Sequence, residues 1–197
     1  MAVRHSADRP ASRRVTPGLC APRAKGVRMV GMNASEVLLD GLGRIKDGVH
    51  GVLDGIDEER LGLTVAPGAN TIAWLIWHLT RVQDAQIADV ADFDQVWIRD
   101  GWYESFALPF DKEATGYGQS PEQTRRVVAE PDQLLGYYDA THDASVAYLT
   151  TLDDADLDRI VDERWDPPVT LGVRLVSIVD DDAKHLGQAA YLRGLHL

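Results

Sequence analysis

Apolar side chains recur at helical spacing along four long segments of this 197-residue chain. The segments cover residues 34–55, 71–91, 131–151 and 170–194. Apolar residues three and four positions apart share one face of a helix, and that face is stable only when it packs against another element. No convincing pair of strands and no internal repeat accompanies the four segments. The pattern therefore predicts an all-α fold, a four-helix bundle.

Residues that begin helices mark the same segments. Asn70 or Thr71 can cap the second helix, because their side chains can accept a hydrogen bond from its first turn. Pro131 opens the third segment, and proline is favoured in a first turn. Between them lies a long connection, residues 92–130, with one short helix expected at residues 120–129.

The charge of the chain is unevenly distributed and divides it into two regions. Residues 1–31 hold seven basic residues and one acidic residue, so the net charge of −11 leaves −17 on residues 32–197. Residues 1–31 also lack a hydrophobic period, which predicts a disordered basic leader ahead of one domain at 32–197. So acidic a domain is not expected to bind nucleic acid or a membrane surface. Cys20 is the one cysteine, which fits a reducing cytoplasm, the expected location.

His78 lies in the middle of the apolar face of the second helix. On a helical wheel Trp74, Leu75, Val82 and Ala85 fall beside it. A histidine in such a position is either a core residue satisfied by one hydrogen bond or a ligand of a site built inside the bundle.

Asp181 and His185 are four residues apart on the last helix, and are therefore neighbours on one face. They could form a solvated ion pair or supply two ligands to a metal. The helical wheel predicts that the opposite side of this helix is the buried one. The residues on that side are Val176, Val179, Ala183, Leu186 and Ala190.

Together, His78, Asp181 and His185 form a ligand set for one divalent metal. Two imidazoles and one carboxylate suit zinc, iron, nickel or cobalt, of which zinc is expected first. Three protein ligands leave at least one coordination position open, as in catalytic zinc sites.

The sequence resembles the DinB superfamily. The stretch NTIAWLIWHL at 70–79, the acidic residue four before a histidine, and the ending DDAKHLGQAAYLRG at 181–194 carry the resemblance, which covers roughly 34–195. It implies a four-helix bundle with a metal at one end, held by the positions of His78, Asp181 and His185. Glutamate or histidine is more usual than aspartate at Asp181, so the carboxylate here is one methylene shorter.

Within that superfamily the chain is most similar to mycothiol-dependent maleylpyruvate isomerase-like and related thiol-transferase proteins. This implies a divalent-metal-dependent transferase or isomerase that uses a low-molecular-weight thiol such as mycothiol, with the thiol and a small electrophile as its partners. Arg81 and Arg193 could bind a carboxylate of the thiol, or could be surface residues. The alternatives are a metal-dependent hydrolase with Asp180 or Asp182 as base, and a non-enzymatic, stress-related metal-binding bundle. A homodimer through an exposed helix face is a further expectation.

Other aromatic and histidine residues are weaker candidates. Trp97, Trp102 and Tyr103 could line a pocket over the metal, although packing is the commoner use of large rings. His50 and His142 lie on otherwise ordinary helices and are expected at the surface.

Overall fold

The computed structural model describes residues 31–195, in which helices dominate. The predicted leader, residues 1–31, lies outside the described residues except for Gly31. The described residues form these α-helices: α1 (Ala34–Leu53), α2 (Glu58–Leu61), α3 (Ile72–Ala91), α4 (Val96–Arg99), α5 (Trp102–Phe106), α6 (Pro121–Thr124), α7 (Pro131–Leu149) and α8 (Leu171–Leu195).

Two of the four long helices begin at a capping side chain, and a third begins at a proline. Asn33 caps α1 and forms a reciprocal capping box with Glu36. Thr71, one of the two expected caps, accepts a hydrogen bond from the backbone N–H of Trp74 and begins α3. Pro131 is the first residue of α7, as expected. These local signals set the helix starts to within one residue of the sequence-based prediction.

The long helices pack as a closed bundle. Helix α3 contacts α8 and α7, and α1 contacts the same two helices from the other side. Gly48 lets α1 approach α8 closely, because a Cβ at this position would lie 2.4 Å from the Leu186 Cδ2 atom. The prediction of an all-α four-helix bundle with a long connection between its second and third long helices is confirmed.

Helix α3 is buried on nearly all sides, including polar positions that a simple amphipathic helix would expose. Thr80, Arg81, Gln83 and Asp84 are all buried. The long connection after α3 folds back over one side of the helix, where the Asp84 carboxylate accepts the backbone N–H groups of Val96 and Trp97, each at 2.8 Å. On another side, Gln83 donates to the Ser145 hydroxyl of α7 at 2.7 Å.

A small antiparallel hairpin precedes α8. It pairs β1 (Ile160–Asp162) with β2 (Val169–Thr170) and was not predicted, because two or three residues are too short to show an alternating pattern. Asp162 is bound by Arg164 at 2.8 Å and by Arg174 of α8 at 3.3 Å, which ties the hairpin to the bundle.

The expected buried side of α8 is wrong for three of its five residues, whereas Val179 and Leu186 are half-buried and pack against the core. Val176 is 59% exposed, and Ala183 and Ala190 are also exposed. The side chains that enter the core are those of Leu171, Leu175, Ile178, Asp182, Ala189 and Leu192. A helical wheel arranges residues around one helix but cannot say which arc faces the neighbouring helices, and both arcs of α8 contain apolar residues.

Between residues 31 and 195, no helix combines the length and the apolar character that a membrane crossing requires.

Candidate metal centre

The three residues expected to bind a metal meet at the contact between α3 and α8. His78, Asp181 and His185 each offer one ligand atom, and these atoms lie within 4.8 Å of one another. The His185 Nε2 and Asp181 Oδ1 atoms are 3.6 Å apart, and the two imidazole ring centroids are 4.7 Å apart. No other group of three or more potential ligands of this kind occurs in the described part of the chain.

A backbone carbonyl fixes the orientation of the His78 ring. The Nδ1 atom of His78 lies 2.5 Å from the carbonyl oxygen of Thr115. A carbonyl oxygen can only accept, so Nδ1 carries the proton and Nε2 keeps a free lone pair. The indole of Trp74 stacks on the imidazole with centroids 4.4 Å apart. His78 therefore has Nε2 available as a ligand atom.

Burial of His78 also favours its ligand form. The side chain is 5% exposed, and loss of solvent lowers its pKa below the ordinary value. The hydrogen bond to Thr115 and the negative charge of Asp181 act in the opposite direction, while His185 lowers the pKa further. The net effect is a neutral imidazole, which is the form that binds metals.

Asp181 and His185 complete a donor set that fits a cation. The Oδ2 atom of Asp181 is buried and has no hydrogen-bond partner. A buried, unpaired carboxylate oxygen is costly unless a cation or a donor satisfies it. The Nδ1 atom of His185 lies 3.2 Å from the amide oxygen of Gln188, which leaves Nε2 of His185 to face Asp181. Two imidazole nitrogens and one carboxylate oxygen could hold a divalent metal here.

A glycine allows the loop after α5 to lie directly on His78. Gly116 has φ +95°, a backbone conformation that L side chains rarely adopt. A Cβ at this position would lie 2.8 Å from His78 Nδ1 and 3.1 Å from rings of both Trp74 and Trp77. Sequence reasoning missed Thr115 and Gly116; the Gly116-Tyr117-Gly118 run was the available signal of an unusual backbone.

Two of the three candidate ligands line a cleft that is open to solvent. A cleft of about 390 Å³ has His78 and Asp181 in its wall. Its other lining residues are Val82, Ala85, Gln86, Thr115 and Tyr117. The Tyr117 side chain is 93% exposed at this cleft, so a small molecule could reach the ligand atoms past it.

Neither arginine suggested as a carboxylate-binding group is available to a substrate. Arg81 is fully buried, and its guanidinium contacts backbone carbonyls inside the protein. Arg193 donates to the carbonyls of Val52 and Asp54 at the end of α1. Both residues therefore have structural partners.

The remaining candidates also have other places in the fold. Trp97 is buried and packs against Trp77 and Tyr137, and so does not line the cleft. His50 is half-buried and contacts Asp139 at 2.8 Å. His142 is 7% exposed, so its expected surface position is wrong: it lies on the side of α7 that faces into the bundle.

Comparison with known proteins agrees with this architecture. No curated protein matches the chain. The crystal structure of a conserved protein from Enterococcus faecalis has 32% sequence identity and a TM-score of 0.77, over 83% of this chain and 96% of the other. Residues 43–189 match the DinB superfamily. This range includes most of the bundle and all three candidate ligands. The chain therefore belongs to the DinB superfamily, a family of metal-binding proteins.

Proposed function

We propose that His78, Asp181 and His185 bind one divalent metal, zinc first among the candidates, and that the protein uses it in a transferase or isomerase reaction of a low-molecular-weight thiol such as mycothiol. The observation that carries the proposal is that three potential ligand atoms lie within 4.8 Å of one another. Two of these residues, His78 and Asp181, also line an open cleft. A structural metal site is closed by four protein ligands, whereas a catalytic site keeps a position for substrate.

The thiol must come from outside the folded domain. Residues 31–195 contain no cysteine, and Cys20 precedes them. A divalent metal bound beside an incoming thiol would lower the pKa of that thiol and supply a thiolate at neutral pH.

The chain's own residues would hold and admit the reactants. His78 keeps Nε2 directed at the site because Thr115 binds its other nitrogen. Gln86 and Tyr117 line the cleft, which falls within the size range of small-molecule sites. A neighbouring depression of about 510 Å³ shares Ala85 and Gln86 with it, which gives room for a thiol and a small electrophile together.

The hydrolase alternative has less support because neither suggested base is suitably placed. Asp180 is exposed and paired with Lys184 at 2.5 Å. Asp182 is fully buried in the core, where burial raises its pKa well above the ordinary value and favours the uncharged acid. The non-enzymatic alternative would be favoured by a closed bundle end, whereas an open cleft adjoins His78 and Asp181.

Elemental analysis of the purified protein, with matched histidine variants, tests the metal site. We expect about one divalent ion per chain. His78→Ala, Asp181→Ala and His185→Ala should each greatly weaken binding, while His50→Ala, a half-exposed histidine on α1, should leave it unchanged. Unchanged metal content in His78→Ala would show that the site is wrongly assigned.

Cobalt substitution tests the thiol chemistry separately. Mycothiol, bacillithiol and glutathione are each added to the cobalt protein, and sulfur ligation should produce charge-transfer absorption that His185→Ala lacks. The same thiol should be consumed with an electrophile only when metal is present. If no thiol changes the spectrum and none is consumed, the transferase proposal fails and only the metal-binding bundle stands.

A further inference from the structure

One buried arginine links helix α3 to the loop that contacts His78. Arg81 follows His78 by three residues on α3, which places both side chains on neighbouring parts of the helix surface. The Nε atom of Arg81 donates to the carbonyl of Ala114 at 3.1 Å, and its Nη2 atom donates to the carbonyl of Lys112 at 3.4 Å. The arginine thus binds the loop at two points just before Thr115.

The guanidinium of Arg81 is itself held from the other side. Its Nη1 atom donates to the Tyr137 hydroxyl at 3.2 Å and lies 3.5 Å from the carboxylate of Asp84. The guanidinium carbon lies 4.9 Å from the ring centroid of Trp97. Arg81 and Asp84 are both essentially without solvent exposure. A planar guanidinium held by this many partners has little freedom to move.

Besides the close packing of Gly116 on His78 and of Phe110 on Trp77, the loop has few polar contacts that would fix its position over His78. Between α5 and α6, the backbone hydrogen bonds are local turns, such as the one from Ala114 N–H to Asp111. A second anchor lies further on, where the Trp74 indole N–H donates to Gln119 at 2.8 Å. Arg81 is therefore the anchor next to Thr115, whose carbonyl selects the tautomer of His78.

We propose that Arg81 is a positioning residue for the metal site: by holding the carbonyls of Lys112 and Ala114, it keeps the Thr115 carbonyl on His78 Nδ1 and so keeps His78 Nε2 directed at the metal. This inference rests on the proposed function of His78 as a ligand. Removing a group that orients a ligating histidine through its second ring nitrogen typically lowers metal affinity about 10- to 100-fold.

The variant Arg81→Lys separates loop positioning from buried charge. Lysine keeps a positive charge beside Asp84, but it lacks the planar fork that reaches two carbonyls. We expect its zinc affinity to fall about 10- to 100-fold. In the metal-free protein labelled with nitrogen-15 at histidine, the spectrum of His78 should change from a single Nδ1–H tautomer to a mixture.

The matched control is Arg193→Lys. Arg193 also donates to two backbone carbonyls, those of Val52 and Asp54 at the end of α1. On α8 it lies eight residues beyond His185, which is about 12 Å along the helix. We expect it to keep both the zinc affinity and the His78 tautomer of the natural protein. If the affinity falls equally in both variants, the effect is general destabilisation and the proposal is overturned.

Two further outcomes are decisive. If Arg81→Lys binds zinc as tightly as the natural protein and retains a single tautomer, Arg81 does not position His78. If the natural protein binds no zinc, the proposed function fails, and the tautomer measurement on the metal-free protein still tests the role of Arg81.

Should Arg81→Lys fail to fold, the double variant Arg81→Met, Asp84→Asn removes both buried charges together and is measured in the same way, with the same result expected.

Discussion

Gly116→Ala tests whether the loop after α5 lies directly on His78, the proposed metal ligand. The new Cβ would lie 2.8 Å from His78 Nδ1, closer than real contacts allow, and 3.1 Å from Trp74 and Trp77 ring atoms. The Trp74 and His78 rings are stacked on each other and Trp77 is fully buried, so these neighbours have little room to move away. The substitution should therefore displace the loop or turn the imidazole away from the site.

Gly118→Ala is the matched control because it carries the backbone strain without the clash. Gly116 has φ +95° and Gly118 has φ +73°, but a Cβ at Gly118 would have no neighbour within 4 Å. Alanine at a positive φ costs about 1–3 kcal/mol at either position. Overpacking adds about 2 kcal/mol at Gly116 alone, so its Tm should lie roughly 4–8 °C below that of Gly118→Ala.

Calorimetry of the metal-free variants measures the Tm difference. Zinc titration measures the zinc affinity of each variant. We expect Gly116→Ala to lose at least about tenfold in zinc affinity, as for other changes that disturb the orientation of a ligating histidine. Gly118→Ala should bind zinc as the natural protein does. Equal Tm and equal affinity in the two variants would refute the close packing of Gly116 on His78.

Four further predictions concern the rest of the molecule. Burial holds the pKa of His142 below its ordinary value of 6.5, so the folded state disfavours its protonation and stability is lost as the pH falls below 6.5. By chemical denaturation, the metal-free His142→Phe variant should lose less free energy of unfolding between pH 7 and about 5 than the metal-free natural protein does. The same dependence of unfolding free energy on pH in both proteins would contradict this. Gly51→Ala, in open space within α1, should raise the free energy of unfolding by about 0.5–1 kcal/mol. Gly48→Ala should be the less stable of the two, because its Cβ meets Leu186, and a reversed order would be inconsistent with the α1–α8 packing. A chain that begins at Met32 should have the Tm of the full chain, and a clear decrease would contradict the sequence-based domain boundary.

The sequence determined the helices because the signals that specify them are local. Capping residues such as Thr71 and the first-turn Pro131 act within one turn of their own position. The spacing of Asp181 and His185 likewise places both on one face of any helix that contains them. These features could be predicted without knowing what packs against what, and the observed bounds of the four long helices agree with them within about two residues. The short helix expected at 120–129 is shorter than predicted and ends at Thr124.

Parts of the site that depend on contacts between distant residues could not be predicted in this way. The Thr115 carbonyl is chemically the same as every other backbone carbonyl, so nothing in the sequence marks it as the partner of His78. Arginine is a residue type that is usually exposed, yet the connection that follows α3 buries Arg81 completely.

Tertiary packing also decided which side of α8 enters the bundle. The helix has apolar residues on two arcs, and Val176 lies on the exposed arc while Asp182 lies in the core. Periodicity fixes the angles between residues on one helix, whereas rotation of that helix about its axis depends on the surfaces of α1 and α3 against which it packs. The convergence of His78 on α3 with Asp181 and His185 on α8 is a property of that packing.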